Sequence, residues 1–209
     1  MTEKSSVFKE TYGYYLEKIR AIDLAAVATP LGGEPVADGI RIPFFGRPFT
    51  VTRRGVSDDQ GHRAPFGVCI VLFKYILMCP DPPPEVREWT AYRDFKDAAP
   101  LVHYFAANVE NAVARAFSGR VGALRRAAVS LRGRAPAEAL SYDLALSFDA
   151  LPRVTMLMLF NDAEKGFAAW CSILFRRSTE SYLDMECVGI LGAQLVGYLK
   201  DAAEGYTQS

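Results

Sequence analysis

The chain has 209 residues, 50% of them hydrophobic, and its 24 basic side chains are balanced by 24 acidic ones. This length is ample for a hydrophobic core, and the composition is that of a globular protein rather than a disordered one. The balanced charge argues against nucleic acid as a partner, because nucleic-acid-binding domains are usually strongly basic. No apolar run reaches the ~20 residues of a spanning helix, so we expect no membrane segment.

Four cysteines are scattered along the chain without any C-x-x-C pair: Cys69, Cys79, Cys171 and Cys187. Three of them lie in strongly apolar segments, where a free cysteine behaves as a small hydrophobic residue. No signal peptide is visible, so the sequence predicts reduced thiols and a cytoplasmic location. Paired short spacings, which metal sites usually have, are missing, and we predict no metal site.

The first third of the chain predicts two helices followed by a hairpin. Apolar residues spaced three and four apart indicate an amphipathic helix (Phe8, Tyr12, Tyr15, Ile19 and Ile22). Asp23 is placed to cap a short continuation that ends before Pro30. Alternating residues then predict two hairpin arms, around Ile42 and Phe49, with Gly46 at positive φ in the turn. Residues 53–63 are polar and glycine-containing, which predicts a surface loop.

The middle of the chain predicts three further segments. An apolar helix, Pro65–Cys79, is ended by the proline run at residues 80–84. Trp89, Tyr92 and Arg93 belong to a dense aromatic and basic segment. A helix with an apolar stripe at four-residue spacing follows (Leu101, Phe105, Val109, Val113 and Phe117). One or two short helices are predicted in residues 115–134, which contain six arginines and no acid.

Residues 140–175 predict three consecutive antiparallel strands. The first alternates apolar and polar residues, the pattern of a half-buried strand. The second, Arg153–Phe160, is almost continuously apolar, which suits a central strand covered on both faces. The third runs from Phe167 to Phe175 after a polar turn.

The last helix is predicted to begin after Asp184, its N-cap, with Leu183 and Val188 placed for a hydrophobic staple. Gly189, Ala193 and Gly197 form a small-residue stripe along it. Each glycine costs a helix roughly 1 kcal/mol relative to alanine, so a close neighbour is expected there. Two interpretations stay open: tight packing on the sheet, or a face that makes a homodimer.

Together these elements predict a single α+β domain over residues 1–209. It would contain a mainly antiparallel sheet of about five strands, made of the N-terminal hairpin and the C-terminal meander, with helices packed on its faces.

Several short motifs resemble one known family. They are Gly46–Phe49, Trp89–Phe95, Phe148–Val154, Ser172–Phe175 and the pair Tyr182-Leu183. In order and spacing they resemble the uncharacterised domain-of-unknown-function family numbered 3786, over nearly the whole chain. The resemblance implies an origin in anaerobic bacteria or archaea, and it supplies no catalytic residues. Some relatives carry an added iron–sulfur module with four clustered cysteines. The cysteines here are not clustered, so an electron-transfer role is not carried over.

The best candidate site lies where the first strand of the meander turns into the second. Asp149 there needs a partner if its face is covered, because an unpaired buried charge is very costly, and Arg153 is the nearest candidate. Trp89, Tyr92 and Arg93 could close over this pair. Aromatic rings, guanidinium groups and a carboxylate commonly recognise a planar or anionic ligand. The alternative is an internal salt bridge that fixes the loop before Pro152.

Other chemically capable residues are weaker candidates. His103 shares a helix face with Glu110, two turns away, which is too far for direct contact and predicts a surface histidine. No base or helix N-terminus adjoins Cys171, which predicts core packing. The arginine run lacks the aromatic residues that stack on bases, so we expect a solvated or interface-lining face. Nucleotide-binding and metalloprotease motifs are missing, and no cofactor is specified.

Three functions remain open at this level. The first is a binding or accessory domain that holds a small planar or anionic ligand near Asp149 and Arg153. The second is an enzyme of unknown reaction with Asp149 as general base. The third is a structural or interaction protein that dimerises through the glycine-striped last helix.

Overall fold

A computed structural model describes residues 3–86 and 88–205 of the chain. It confirms the α+β class and the antiparallel strands, which are divided between two four-stranded sheets. The N-terminal sheet has the strand order β1-β2-β3-β4, and the C-terminal sheet has the order β5-β8-β7-β6. The sequence predicted one sheet of about five strands. The hairpin and the meander lie in separate sheets because short flanking strands pair with the hairpin on both of its edges.

Two helices open the chain, α1 (Glu3–Arg20) and α2 (Leu24–Leu31). The Asp23 carboxylate caps α2 by accepting hydrogen bonds from the N–H groups of Ala25 and Ala26. Pro30 lies inside α2, so the predicted end of this helix was wrong by two residues. Proline is tolerated there because the helix stops within one further turn, where Gly32 takes a left-handed φ of 70°.

The N-terminal sheet contains β1 (Glu34–Val36), β2 (Gly39–Phe44), β3 (Arg47–Thr52) and β4 (Gly55–Asp58). The predicted hairpin is β2–β3, with Ile42 opposite Phe49 and Gly46 at φ 74° in its turn. Strand β4 lies within the predicted surface loop. It was missed because Val56 is its only apolar residue, too few to form a pattern.

The remaining helices are α3 (Phe66–Leu77), α4 (Val102–Phe105), α5 (Asn111–Phe117), α6 (Val121–Ser130) and α7 (Met185–Gly205). Each of them lies within a segment that was predicted to be helical. A π-helical turn, Ala106–Glu110, joins α4 to α5, so the predicted apolar stripe runs through one continuous helical segment. In the part of the chain that is described, no helix combines the length and apolarity needed to cross a membrane.

The C-terminal sheet contains β5 (Trp89–Ala91), β6 (Leu144–Leu151), β7 (Val154–Asn161) and β8 (Trp170–Arg176). Strands β6, β7 and β8 are the predicted meander. One face is almost fully buried in the main core (Phe148, Met156, Met158, Phe160, Ile173 and Phe175). The tip of the N-terminal hairpin reaches this sheet, where the Phe45 N–H donates to the Ala150 carbonyl at 3.0 Å.

The π-helical turn places an acidic side chain at the open edge of β8. Strand β5 ends at Ala91, opposite Leu174, so it does not cover the start of β8. The Glu110 carboxylate lies there instead and accepts the Ile173 N–H at 3.0 Å and the Ser172 hydroxyl at 3.1 Å. Glu110 therefore satisfies a strand-edge donor that no neighbouring strand reaches.

Replacing Glu110 with alanine is expected to lower the free energy of unfolding by about 1–2 kcal/mol, because the strand-edge N–H loses its acceptor. Glu110→Gln keeps an amide oxygen in place and should lose less than half as much. Urea unfolding at neutral pH measures both values, with Glu204→Ala as the control because Glu204 is exposed. Equal stability of Glu110→Ala and the parent would contradict this role.

Candidate functional site

The outer face of the C-terminal sheet, opposite the core, carries the strongest candidate site. Alternation along β6 places Ser147 and Asp149 on this face, while Phe148 between them points into the core. The strand register sets Asp149 opposite Thr155, and sets Ser147 opposite Leu157. The outer face thus combines polar groups at one end with leucines at its centre.

A groove of about 510 Å³ lies on this face, and we call it the sheet-face groove. Leu157, Leu159 and Leu174 form its apolar floor, and residues 134–138 with Leu140 and Tyr142 form one wall. Leu157 and Leu159 are only 2% and 6% exposed, although they point away from the main core. The wall segment lies over the sheet at this point, and the volume of the groove falls within the range of small-molecule sites.

An ion pair holds the wall segment to the sheet. Arg134 Nη2 lies 2.6 Å from Asp149 Oδ2, and the Thr155 hydroxyl donates to Asp149 Oδ1 at 3.4 Å. The backbone of Arg134 also pairs with Ser147 through two hydrogen bonds of 2.9 and 2.7 Å. Because the Arg134 and Asp149 side chains are 63% and 46% exposed, water screens the pair, and its main contribution is to position the two groups.

The opposite wall consists of an arginine stacked on a tryptophan. Trp89 pairs across the strands with Arg176, and the guanidinium carbon lies 3.7 Å from the indole ring centroid. This cation–π contact holds the guanidinium over the face of the indole ring at the edge of the groove. Both side chains line the groove.

Of the five predicted site residues, two line the sheet-face groove: Trp89 and Asp149. Tyr92 is 2% exposed and belongs to the core, where its ring stacks on Phe105 at 4.1 Å and its hydroxyl donates to the Met185 carbonyl. Burial raises the pKa of Tyr92 to about 12. Arg93 is exposed and lies beside Asp94. Tyr92 and Arg93 therefore do not close over Asp149, contrary to the prediction.

The predicted partner of Asp149 was also wrong. Arg153 extends to the end of α2, where its Nε donates to the Pro30 carbonyl at 2.9 Å and its Nη2 donates to the Thr29 carbonyl at 3.4 Å. These are carbonyls of the last helical turn, which favour a nearby cation. Arg134 forms the ion pair with Asp149 that was expected of Arg153. No sequence signal pointed to it, because it lies outside any periodic pattern and fifteen residues before Asp149.

The weaker candidates lie apart from the groove. His103 is exposed, and His62 is exposed with its Nδ1 3.5 Å from Asp58. All four cysteines are free thiols, and burial, with the nearby Glu110 charge, raises the pKa of Cys171 far above its usual range. Within residues 3–86 and 88–205, no group of three histidine, cysteine or acidic side chains could hold a metal ion.

The arginine-rich segment is exposed as predicted, and several of its side chains bind acceptors of this chain. Arg115 donates to the Ala107 carbonyl at 3.1 Å, and Arg125 donates to the Asp143 carbonyl at 3.4 Å. Arg134 is the member that reaches the groove. The segment thus contributes one cation to the candidate site.

The residues of the sheet-face groove offer apolar, aromatic and charged groups to a molecule of suitable shape. The leucine floor can pack against the apolar part of a planar molecule, and the indole can stack on its ring. Two guanidinium groups can donate to its anionic or carbonyl oxygens.

The comparisons with known proteins bear on the family. No curated protein and no solved structure matches the chain. One family model, described as a domain of unknown function and named DUF3786, matches residues 23–198, which include both sheets and most of α7. The resemblance seen in the short motifs is thereby confirmed, and the chain belongs to the DUF3786 family of domains of unknown function.

Proposed function

We propose that this protein is a ligand-binding domain that holds a small planar, anionic molecule in the sheet-face groove. The observation that carries the proposal is the placement of Trp89, Arg176, Arg134 and Asp149 around one leucine floor. In this arrangement Trp89 provides the stacking surface. Arg176 and Arg134 provide donors to the anionic group, and Asp149 orients Arg134.

Binding fits this groove better than catalysis by Asp149. A general base needs an oxygen directed at the proton that it removes. Here one carboxylate oxygen lies against Arg134 and the other accepts the Thr155 hydroxyl. Neither histidine lines the groove. Catalysis by Asp149 would therefore require the carboxylate to give up its contacts with Arg134 and Thr155 first.

The two tryptophans of the chain give a direct test. Trp170→Phe leaves Trp89 as the only tryptophan, so its fluorescence reports on the groove. We expect a panel of aromatic carboxylates and aromatic phosphates to contain compounds that quench this fluorescence and raise the melting temperature. Trp89→Ala should weaken their binding about tenfold or more, because the stacking surface and the support of Arg176 are lost together.

Phe167→Ala is the matched control, because Phe167 is an exposed aromatic residue that is not among the residues of the groove. Binding should survive in that variant. If no planar anion binds the parent, or if Trp89→Ala and Phe167→Ala bind equally well, the proposal is wrong. If the parent chemically converts a bound compound, and Asp149→Asn still binds that compound but no longer converts it, the enzyme hypothesis would instead be favoured.

A further inference from the structure

A second groove, far more apolar, lies among the helices. We call it the helical groove. Its floor is one face of α3, where Phe66, Ile70 and Lys74 follow at four-residue intervals, and α1 and α7 form its walls. It has a volume of about 400 Å³ and runs along roughly 12 Å of α3, from Phe66 to Lys74. These dimensions suit a small ligand.

Exposed apolar side chains surround the groove. Val7, Phe8 and Tyr104 are 54%, 46% and 50% exposed, and all three line it. The rings of Phe8 and Phe66 lie 4.6 Å apart at one end. Large apolar side chains gathered in one concave surface mark an interaction site more often than scattered ones do.

Small residues of α7 keep the groove open. Gly189 and Ala193 line its wall, and a Cβ atom added at Gly189 would have no neighbour nearer than 3.9 Å, the Tyr92 hydroxyl. A Cβ atom added at Gly197 would meet nothing within 4 Å, so neither glycine of the predicted small-residue stripe has the close neighbour that was expected. Larger residues in place of Gly189 and Ala193 would fill the groove.

The other end of the groove is polar but electrically compensated. Lys74 Nζ lies 2.6 Å from Asp184 Oδ2 and 5.2 Å from the centre of the Tyr15 ring. Burial lowers the pKa of Lys74, but Asp184 and Tyr15 outweigh this effect and raise it, so the ammonium stays charged. An ammonium has three N–H donors, and Lys74 can direct one at a ligand oxygen. The carboxylate beside it cancels the attraction for an anion.

We propose that the helical groove binds an uncharged, elongated apolar molecule that carries one hydroxyl or carbonyl oxygen at its end. The apolar body would lie along α3 between Phe8 and Ile190, and the oxygen would meet Lys74. The Lys74–Asp184 pair has no net charge, and Glu186, the other charged residue of the lining, is exposed to water. A charged head group inside the groove is therefore disfavoured, because its loss of hydration would not be repaid. One wall, α1, precedes the residues matched by the family model, so this site extends beyond the shared domain.

Three probes with the same ten-carbon chain test the ligand class: decanol, decanoate and decylammonium, each kept below its aggregation concentration. Isothermal titration on the full chain should show decanol binding about tenfold more tightly than either ion. Ala193→Trp should abolish decanol binding by filling the groove. Tyr104→Ala, which removes only an exposed ring at the rim, should weaken binding without a loss of folding.

Lys200→Trp is the matched control, because Lys200 is an exposed residue of the same helix outside the groove. It should bind decanol like the parent. Failure of decanol to bind, unchanged binding in both Ala193→Trp and Tyr104→Ala, or equal binding of the ions would overturn the proposal. So would light scattering that shows a dimer dissociated by Tyr104→Ala, because a second copy would then occupy the groove. Trp89→Ala should leave decanol binding unchanged, which separates this site from the sheet-face groove.

Discussion

Gly192→Ala is expected to lower the free energy of unfolding by about 1–3 kcal/mol, although alanine is the better helix former. A Cβ atom at this position would lie 2.7 Å from a ring carbon of Phe105 and 2.9 Å from a methyl group of Val109. Both neighbours are buried, and Phe105 is stacked on Tyr92, so neither can move away freely. The close approach of α7 to the π-helical turn therefore requires glycine.

Gly197→Ala, five residues further along the same helix, should have the opposite sign. A Cβ atom there meets nothing within 4 Å, so the substitution is expected to raise the free energy of unfolding by up to about 1 kcal/mol. Urea unfolding of the two variants and the parent measures both effects. The same sign for both substitutions would contradict the packing assigned to Gly192.

Asp184→Asn is expected to lower the free energy of unfolding by about 1–2 kcal/mol at neutral pH. Asparagine is a good N-cap, so the bond to the Cys187 N–H is retained while the ion pair with Lys74 is lost. The loss is smaller than for a fully buried pair because the two side chains are 24% and 33% exposed. Asp184→Ala should lose about 1 kcal/mol more, because it also removes the cap.

The pH dependence of this loss tests whether the ionised Asp184 carboxylate stabilises the fold. Burial raises the pKa of Asp184, but the bonds from Lys74 and from the Cys187 N–H outweigh it and lower the pKa. A lowered pKa in the folded state gives stability above the unfolded value of about 3.9, and this stability is lost as the pH falls through the folded value. The raised pKa of Lys74 gives stability below about 10.4 that is lost in stronger alkali.

The difference between the parent and Asp184→Asn should thus be largest between about pH 5 and pH 10 and should shrink below about pH 4. Urea unfolding at pH 7 and pH 3 measures it, and groups common to both proteins cancel in the comparison. A difference that stays constant between these pH values would mean that the ion pair does not contribute. In that case the loss would come from the altered cap alone.

Helices and strands with strong periodicity and clear ends could be predicted from local patterns in the amino-acid sequence. The helix stripes, the β2–β3 hairpin, the meander and the caps at Asp23 and Asp184 were all predictable. Local rules suffice for these because side-chain period and end-capping depend on neighbours a few residues away. The family could also be predicted from the short motifs, because their order and spacing are properties of the sequence and do not depend on the fold.

The contacts between side chains that are distant in sequence became known only from the folded structure. Asp149 and Trp89 were predicted for the site and do line one groove, but their arginine partners are Arg134 and Arg176 rather than Arg153 and Arg93. Strand register set Trp89 opposite Arg176, and an isolated backbone bridge set Arg134 beside Ser147. Neither pairing follows from a local pattern, because each depends on the free energy of the whole packed sheet. The helical groove has the same origin: three helices distant in sequence leave a space that no single helix encodes.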